Sequence, residues 1–312
     1  MVKYPQANSI EERKTLGEIF IFNIAKLAVK AIINTASVYP KPGLITPIDN
    51  SALDGTDFPC LLDGAMSLFQ CFVNCASVGI ETENVKPEDA FTVLQGPAKI
   101  GVNDALTATR GKLRMKGFVF SLGLLSAAAG RLIKQKRFLT PAAITLTASS
   151  FVRGITQREL WALDETNRTM FTLGEKSWKS YGLEGLRGEA EHGFKQTLRA
   201  LETLRSLDAN YSHLTLREKC THALINIIAE IQDTTIAGRG GITELMRVQD
   251  EAKSVINQGG MLTTEGIDAV FEFDNNLRSR GTAPNGSMII LANALFIPDL
   301  VKLRLTRSGY DE

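Results

Sequence analysis

Apolar residues recur at helical spacing along most of this chain. From Ile10 to Val38 they fall at Leu16, Ile19, Phe20, Ile24, Leu27, Ala28, Ala31 and Ile32, one face of an α-helix. Tyr39-Pro40-Lys41-Pro42-Gly43 ends that helix, because proline disfavours α geometry in the residue before it. A loop with Asp49, Asn50, Asp54, Gly55 and Asp57 leads to a second helix, Pro59–Ala76. Pro87–Thr109 reads as two short helices broken near Gly96-Pro97. Gly117–Leu132 is apolar almost all round, which puts it at the centre of a bundle. Thr140 caps a helix with Pro141 at its first position, running to Val152. Thr156 reads as the cap of TQREL, with Glu159 placed for a capping box. Glu189–Leu207, Leu216–Ile231, Ile242–Asn257, Thr264–Asn276 and Ser287–Leu303 complete the set. Alternating β-branched runs and the hairpin dipeptides that would join them are missing. The pattern predicts an all-α, single-domain bundle of about ten helices joined by glycine-rich loops. Residues 1–10 and 304–312 read as flexible ends.

Composition narrows the function classes. Lys+Arg 35 against Asp+Glu 34 leaves a net charge of +1, which argues against a broad nucleic-acid surface but leaves room for a local basic pocket. The aromatic residues Phe69, Phe118 and Phe120 fall on core faces, not between basic residues. Four cysteines form no CxxC pair; Cys71 and Cys75 lie one helical turn apart, as small apolar residues on a buried face. Three histidines in no two-His spacing make a zinc site unexpected. Ile19–Ile33 is interrupted by Asn23, Lys26 and Lys30, and Gly117–Gly130 falls short of the ~20 apolar residues of a span, so no membrane segment is expected. A reducing cytoplasm is the default setting in the absence of a signal peptide.

The densest chemistry lies in Tyr181–Phe194, YGLEGLRGEAEHGF. Its four glycines let backbone approach a ligand, and Arg187 offers a planar fork suited to phosphate or carboxylate. Glu184, Glu189 and Glu191 suit Mg²⁺ or a sugar hydroxyl, and a helix starting at Gly188–Glu189 adds free backbone N–H groups for an anion. Four other stretches share this makeup: Pro40–Asp57, Gly111–Gly117 (GKLRMKG), Asp233–Gly241 (DTTIAGRGG) and Gly281–Ser287 (GTAPNGS). If they converge at one end of the bundle, Lys41, Lys116, Arg187 and Arg239 make a cationic pocket, and Asp57, Glu189 and Asp233 supply oxygens for a metal. That combination suits a nucleotide polyphosphate with Mg²⁺. No GxxxxGK[ST] is present, so this is not a P-loop protein.

Six blocks occur in a telling order: PKPGL, KGFVFSLGLLSAAAGRL, TPAAITLTASSFVRGITQREL, GLEGLRGEAEHGF, DTTIAGRGG and APNGS with LANALF. Together they resemble the triphosphoribosyl-dephospho-CoA synthases that serve citrate lyase and malonate decarboxylase, over nearly all of residues 15–300. The resemblance implies an all-α transferase whose substrates are ATP and 3′-dephospho-CoA. The 2′-hydroxyl of dephospho-CoA would attack C1 of the ATP ribose, adenine would leave, and the product would be a lyase prosthetic-group precursor. On the same grounds Glu189, Lys116 and Asp233 are the catalytic candidates. Lys41, Arg187, Gly188, Arg239, Gly240, Gly241 and Ser287 are the phosphate-binding candidates, and Asp57, Glu189 and Asp233 the ligands of Mg²⁺. A second copy of the chain or a lyase-assembly protein is the implied macromolecular partner. The sequence departs from the family where polar groups are usual: Thr46, Leu53, Val102, Leu113, Met115, Thr235 and Ile289 occupy such positions. The alternative reading is therefore a relative that binds a nucleotide or a partner protein without turning it over.

Overall fold

The apolar stripes fold into helices packed around one of their number. The computed structural model describes residues 10–49, 56–165 and 170–303. The ends expected to be flexible lie outside the described residues except for Ile10, as do Asn50, Leu53, Asp54 and Gly55. The helices are α1 (Ile10–Ala36), α2 (Phe58–Ser67), α3 (Phe69–Glu81), α4 (Pro87–Ala108), α5 (Lys116–Lys134), α6 (Pro141–Phe151) and α7 (Ile155–Glu159). They continue as α8 (Leu173–Tyr181), α9 (Gly185–Glu191), α10 (Lys195–Asn210), α11 (Leu216–Glu230), α12 (Thr234–Asn257), α13 (Thr264–Ser279) and α14 (Asn285–Lys302). Short 3-10 turns occupy Trp161–Glu165 and Gly260–Leu262, and there is no strand among the described residues. The expected all-α class is what the chain adopts.

Beyond α8, a helix the sequence reading lacks, the boundaries differ from that reading most at four places. The second helix breaks at buried Leu68 and extends to Glu81. Pro97 lies inside a continuous α4: it lacks the N–H that would bond to the carbonyl of Val93, and Val93 lies on the exposed side of the helix. Glu189–Leu207 is two helices, parted by positive φ at Gly193 (87°) and Phe194 (59°). DTTIAGRGG, expected as a loop, is the start of α12, which kinks at Gly241 with φ 81° and ψ 177°.

α5 is the central helix. Every residue from Ser121 to Leu132 is buried, and the helix packs against α1, α3, α4, α6 and α14. Its crossing with α3 is tight because glycines face backbone in both directions. A Cβ on Gly79 would overlap the carbonyl oxygen of Ala127, and one on Gly130 that of Ala76. Neither carbonyl can yield without moving its helix, so Gly79→Ala should cost about 3 kcal/mol in a urea titration, the upper end of overpacking. An unchanged midpoint would mean the helices can slide apart freely. Arg131, buried on the last turn of α5, donates to the carbonyls of Thr82 and Val85 where α3 ends, and its guanidinium lies 4.7 Å from the Phe151 ring centroid. By length and composition alone Gly17–Ala36, Phe58–Glu81 and Lys116–Lys134 would suffice to cross a membrane; here 78% of the most apolar window of the last is buried inside the bundle. All four cysteines are buried and free.

Capping is legible in part. Thr140 accepts from the Ala143 N–H ahead of Pro141, as expected. The capping box expected at Thr156 and Glu159 does not form. α7 begins two residues earlier, after Gly154 in left-handed conformation, and the N–H groups of Gly154 and Thr156 are taken by the distant Glu191 carboxylate. The capping boxes observed are Thr172 with Glu175 and Thr215 with Glu218.

Candidate active site

The glycine-rich stretches touch one another in a continuous chain. Gly43 lies against the backbone carbonyl of Thr282, Gly185 against the Thr234 side chain, and Gly117 against Leu186 and Ile289. Gly241 faces the Tyr181 hydroxyl, and Asp233 bonds to Ser287. The approach at Gly43 needs the missing Cβ of glycine, since a Cβ there would meet the Thr282 carbonyl oxygen at 2.5 Å. The starts of α5, α9, α12 and α14 thus gather with the Pro40–Asp49 loop. That loop is pinned from two sides: Thr221 donates to the carbonyl of Pro40 (2.7 Å), and Arg278 to that of Leu44 (2.7 Å).

Within this cluster most of the expected acids hold helix ends. Asp233 is buried and accepts from the Thr235 N–H at the start of α12 (2.9 Å) and the Ser287 N–H at the start of α14 (3.1 Å). Burial pushes its carboxyl above the usual range, against the N–H donations of Thr235 and Ser287. Glu189 accepts from the N–H groups of Gln196 (3.2 Å) and Thr197 (2.8 Å), capping α10, and burial raises its pKa as well. Glu191 is buried enough to favour its neutral form, but donations from Thr156 and Gly154 outweigh that and hold it below the ordinary value. Glu184 lies 2.9 Å from the His192 ring. Asp57 caps α2 through the Cys60 N–H.

Asp57, Glu189 and Asp233 each cap a different helix, and among the described residues no three His, Cys, Asp or Glu side chains gather as a cation site. The described residues thus offer no all-protein cage of the three-carboxylate kind for a resident Mg²⁺.

The expected cations also divide. Lys41 is wholly buried, with Nζ donating to the carbonyls of Thr35 (3.1 Å) and Ala36 (2.7 Å) at the end of α1, so it does not face a ligand. Burial, then the charge of Arg278, lowers its pKa to about 7. Arg187 pairs with Glu159 at 2.6 Å, and Gly188 is buried within α9. Lys116 is exposed at the first residue of α5. Ser287 is buried as a partner of Asp233.

Arg239 is the exception, because two clefts meet at it. One, of about 380 Å³, lies between α8 and α12 and is lined by Phe171, Lys176, Lys179, Tyr181, Arg239 and Gly241. The other, of about 260 Å³, is lined by Thr235, Arg239, Gly240, Glu244, Arg280 and Thr282. Glu244 accepts from Arg280 (3.0 Å) and Thr282 (2.9 Å), and Arg280 also grips Glu251 with two further bonds. Sequence reading misses Lys176, Lys179, Glu244 and Arg280. The signal available is the basic i, i+3 pair in KSWKSY, directly before the first glycine of Tyr181–Phe194.

The family described as ATP:dephospho-CoA triphosphoribosyl transferase (CitG) matches residues 21–308. The chain belongs to this family. Among curated relatives, a probable 2-(5″-triphosphoribosyl)-3′-dephosphocoenzyme-A synthase of Citrobacter koseri is 32% identical over 280 residues, covering 88% of this chain and 90% of that protein. No solved structure matches the chain. Of the seven positions at which polar groups are expected in relatives, four are absorbed into packing. Met115 and Ile289 are buried in the core, and Val102 and Leu113 pack against it. Thr46 accepts from the N–H of Ile48 (3.3 Å) and Asp49 (2.9 Å), closing a local turn. Thr235 lines the smaller cleft, and Leu53 lies outside the described residues.

Proposed function

We propose that the chain transfers the triphosphoribosyl group of ATP to the 2′-hydroxyl of 3′-dephospho-CoA and releases adenine. Membership of the transferase family supports this reading, and the single structural observation behind it is Arg239 standing between two clefts. In the reaction the bond from ribose C1 to adenine breaks, and a bond from C1 to the acceptor oxygen forms. The hydroxyl loses its proton, and adenine gains one as it leaves.

Positive charge develops at C1, so a nearby carboxylate lowers the barrier and a cation steadies the phosphates. Glu244 is the carboxylate that lines the smaller cleft. Its bonds from Arg280 and Thr282 fix its orientation within the cleft. Arg239 would hold the polyphosphate end of ATP. Mg²⁺ arrives already bound to the phosphates, as part of the substrate. A cytoplasmic setting fits this chemistry.

Adenine released from ATP, 3′-dephospho-CoA and Mg²⁺ is the direct test. Wild-type protein should form it, and Arg239→Ala should lower kcat/KM by about 10²–10³. The exposed position of Arg239 means the melting temperature should hold. Purified protein that binds ATP and forms no adenine would overturn this reading in favour of a binding relative.

A further inference from the structure

The larger cleft is more basic than its glycine-rich wall suggests, and the added charge comes from α8. Lys176 and Lys179 stand three residues apart, on one face of that helix, and both line the cleft. Like charges at this spacing repel and destabilise a helix by a few tenths of a kcal/mol. The adjacent Glu175 carboxylate turns back to accept the Thr172 N–H (2.7 Å) in a capping box. Among the described residues no carboxylate lines this cleft, whereas Glu244 lines the smaller one.

The opposite wall brings a third cation close. A Cβ on Gly238 would meet the backbone of Leu173 at 2.6 Å, so α12 lies directly on α8 there. Ser177 reinforces that packing by donating to the Thr234 carbonyl at 2.9 Å. Arg239 therefore enters the cleft beside the two lysines. Lys179 sits 4.8 Å above the Phe171 ring centroid, which limits the positions of its ammonium group.

We infer that the cleft between α8 and α12 is the seat of the triphosphate, gripped by Lys176 and Lys179 from α8 and by Arg239 from α12. The inference rests on the transferase reading for the identity of the nucleotide, but the anion site stands on its own geometry. The substrate group with the greater negative charge occupies the cleft whose described lining holds no carboxylate. The diphosphate of the acceptor then approaches from the Arg280 side. Lys176 and Lys179 are thus specificity-determining residues for a polyphosphate rather than for adenine.

Inorganic tripolyphosphate is the probe for calorimetric titration, and ATP and 3′-dephospho-CoA for kinetics. The Lys176→Ala/Lys179→Ala double variant should weaken tripolyphosphate binding by about 100-fold, roughly tenfold for each charge-assisted hydrogen bond removed. Its KM for ATP should rise while its KM for 3′-dephospho-CoA stays within about twofold of wild type, since that substrate sits in the other cleft. Lys179→Arg, which keeps the charge, should retain most of the affinity. Both lysines are exposed, so an unchanged melting curve is expected and confirms folding. Unchanged tripolyphosphate affinity in the double variant would overturn the assignment, as would a rise confined to the KM for 3′-dephospho-CoA. Should wild-type protein release no adenine yet lose tripolyphosphate binding in the double variant, the transferase reading fails and the anion site stands.

Discussion

Replacing Asp233 with alanine should lower the unfolding free energy by about 3–4 kcal/mol, far more than an ordinary helix cap. An isolated cap is worth about 1 kcal/mol because its N–H groups can turn to water when the side chain is removed. Asp233 differs in two ways. It serves the starts of both α12 and α14, and it is buried, so the Ser287 N–H and hydroxyl it leaves behind have no solvent to turn to. Asp57→Ala is the internal control, since that carboxylate caps α2 alone through the Cys60 N–H. Urea titrations of the two variants should differ by at least about 2 kcal/mol, taking the orphaned buried donors at their usual cost. Equal losses would mean that the α12 and α14 starts are held by something other than this carboxylate.

Stability should also climb with pH just above neutrality, and Lys41 is the reason. Its pKa falls from 10.5 to about 7 in the folded chain, burial being the larger cause and Arg278 the second. Between those values the unfolded chain holds the proton that the folded chain has released. Unfolding then takes up a proton, so raising the pH favours the folded state. From about pH 7 to 8.5 the gain should be about 1.5 kcal/mol, and the full shift approaches about 5 kcal/mol by about pH 10.5. Other shifted groups act outside this window. His222, lowered by burial, contributes below the ordinary histidine range. The thiols of Cys75, raised by its bond with Cys71, and Cys220, raised to about 12 by burial, oppose the trend only above about pH 9. Lys41→Met removes the titrating group and should give a flat profile over the same interval in chemical denaturation. A slope that survives the substitution would assign the effect elsewhere.

The fold is readable where local rules govern it. Periodicity places α5 at the centre, and Thr140-Pro141 marks the start of α6. The break at Leu68 leaves no trace, because the apolar face runs straight through it from α2 into α3. The glycines of DTTIAGRGG suggest a loop, yet Gly238 is there to let α8 lie on α12. The hardest residues to read are the carboxylates. A capping box is visible because its partners stand three residues apart. Glu189 caps through a residue eight positions away, Glu191 through one 35 away, and Asp233 through one 54 away. Residue type alone cannot separate such an acid from a metal ligand, and here three carboxylates expected to meet a ligand hold the scaffold instead. The cations follow the same logic in reverse: Lys41 reads as available and is sealed inside, while Lys176 and Lys179 carry no glycine-rich signature and line the larger cleft.

The long-range caps have a further meaning for binding. Glu189 ties α9 to α10, Glu191 ties α9 to α7, and Asp233 ties α12 to α14, through bonds the chain makes to itself. The α12 wall that both clefts share is thereby preorganised, and a guest need not supply the entropy of fixing it. What remains to be immobilised is a handful of long basic side chains at the rim, so affinity is set by how well those few termini match the anion.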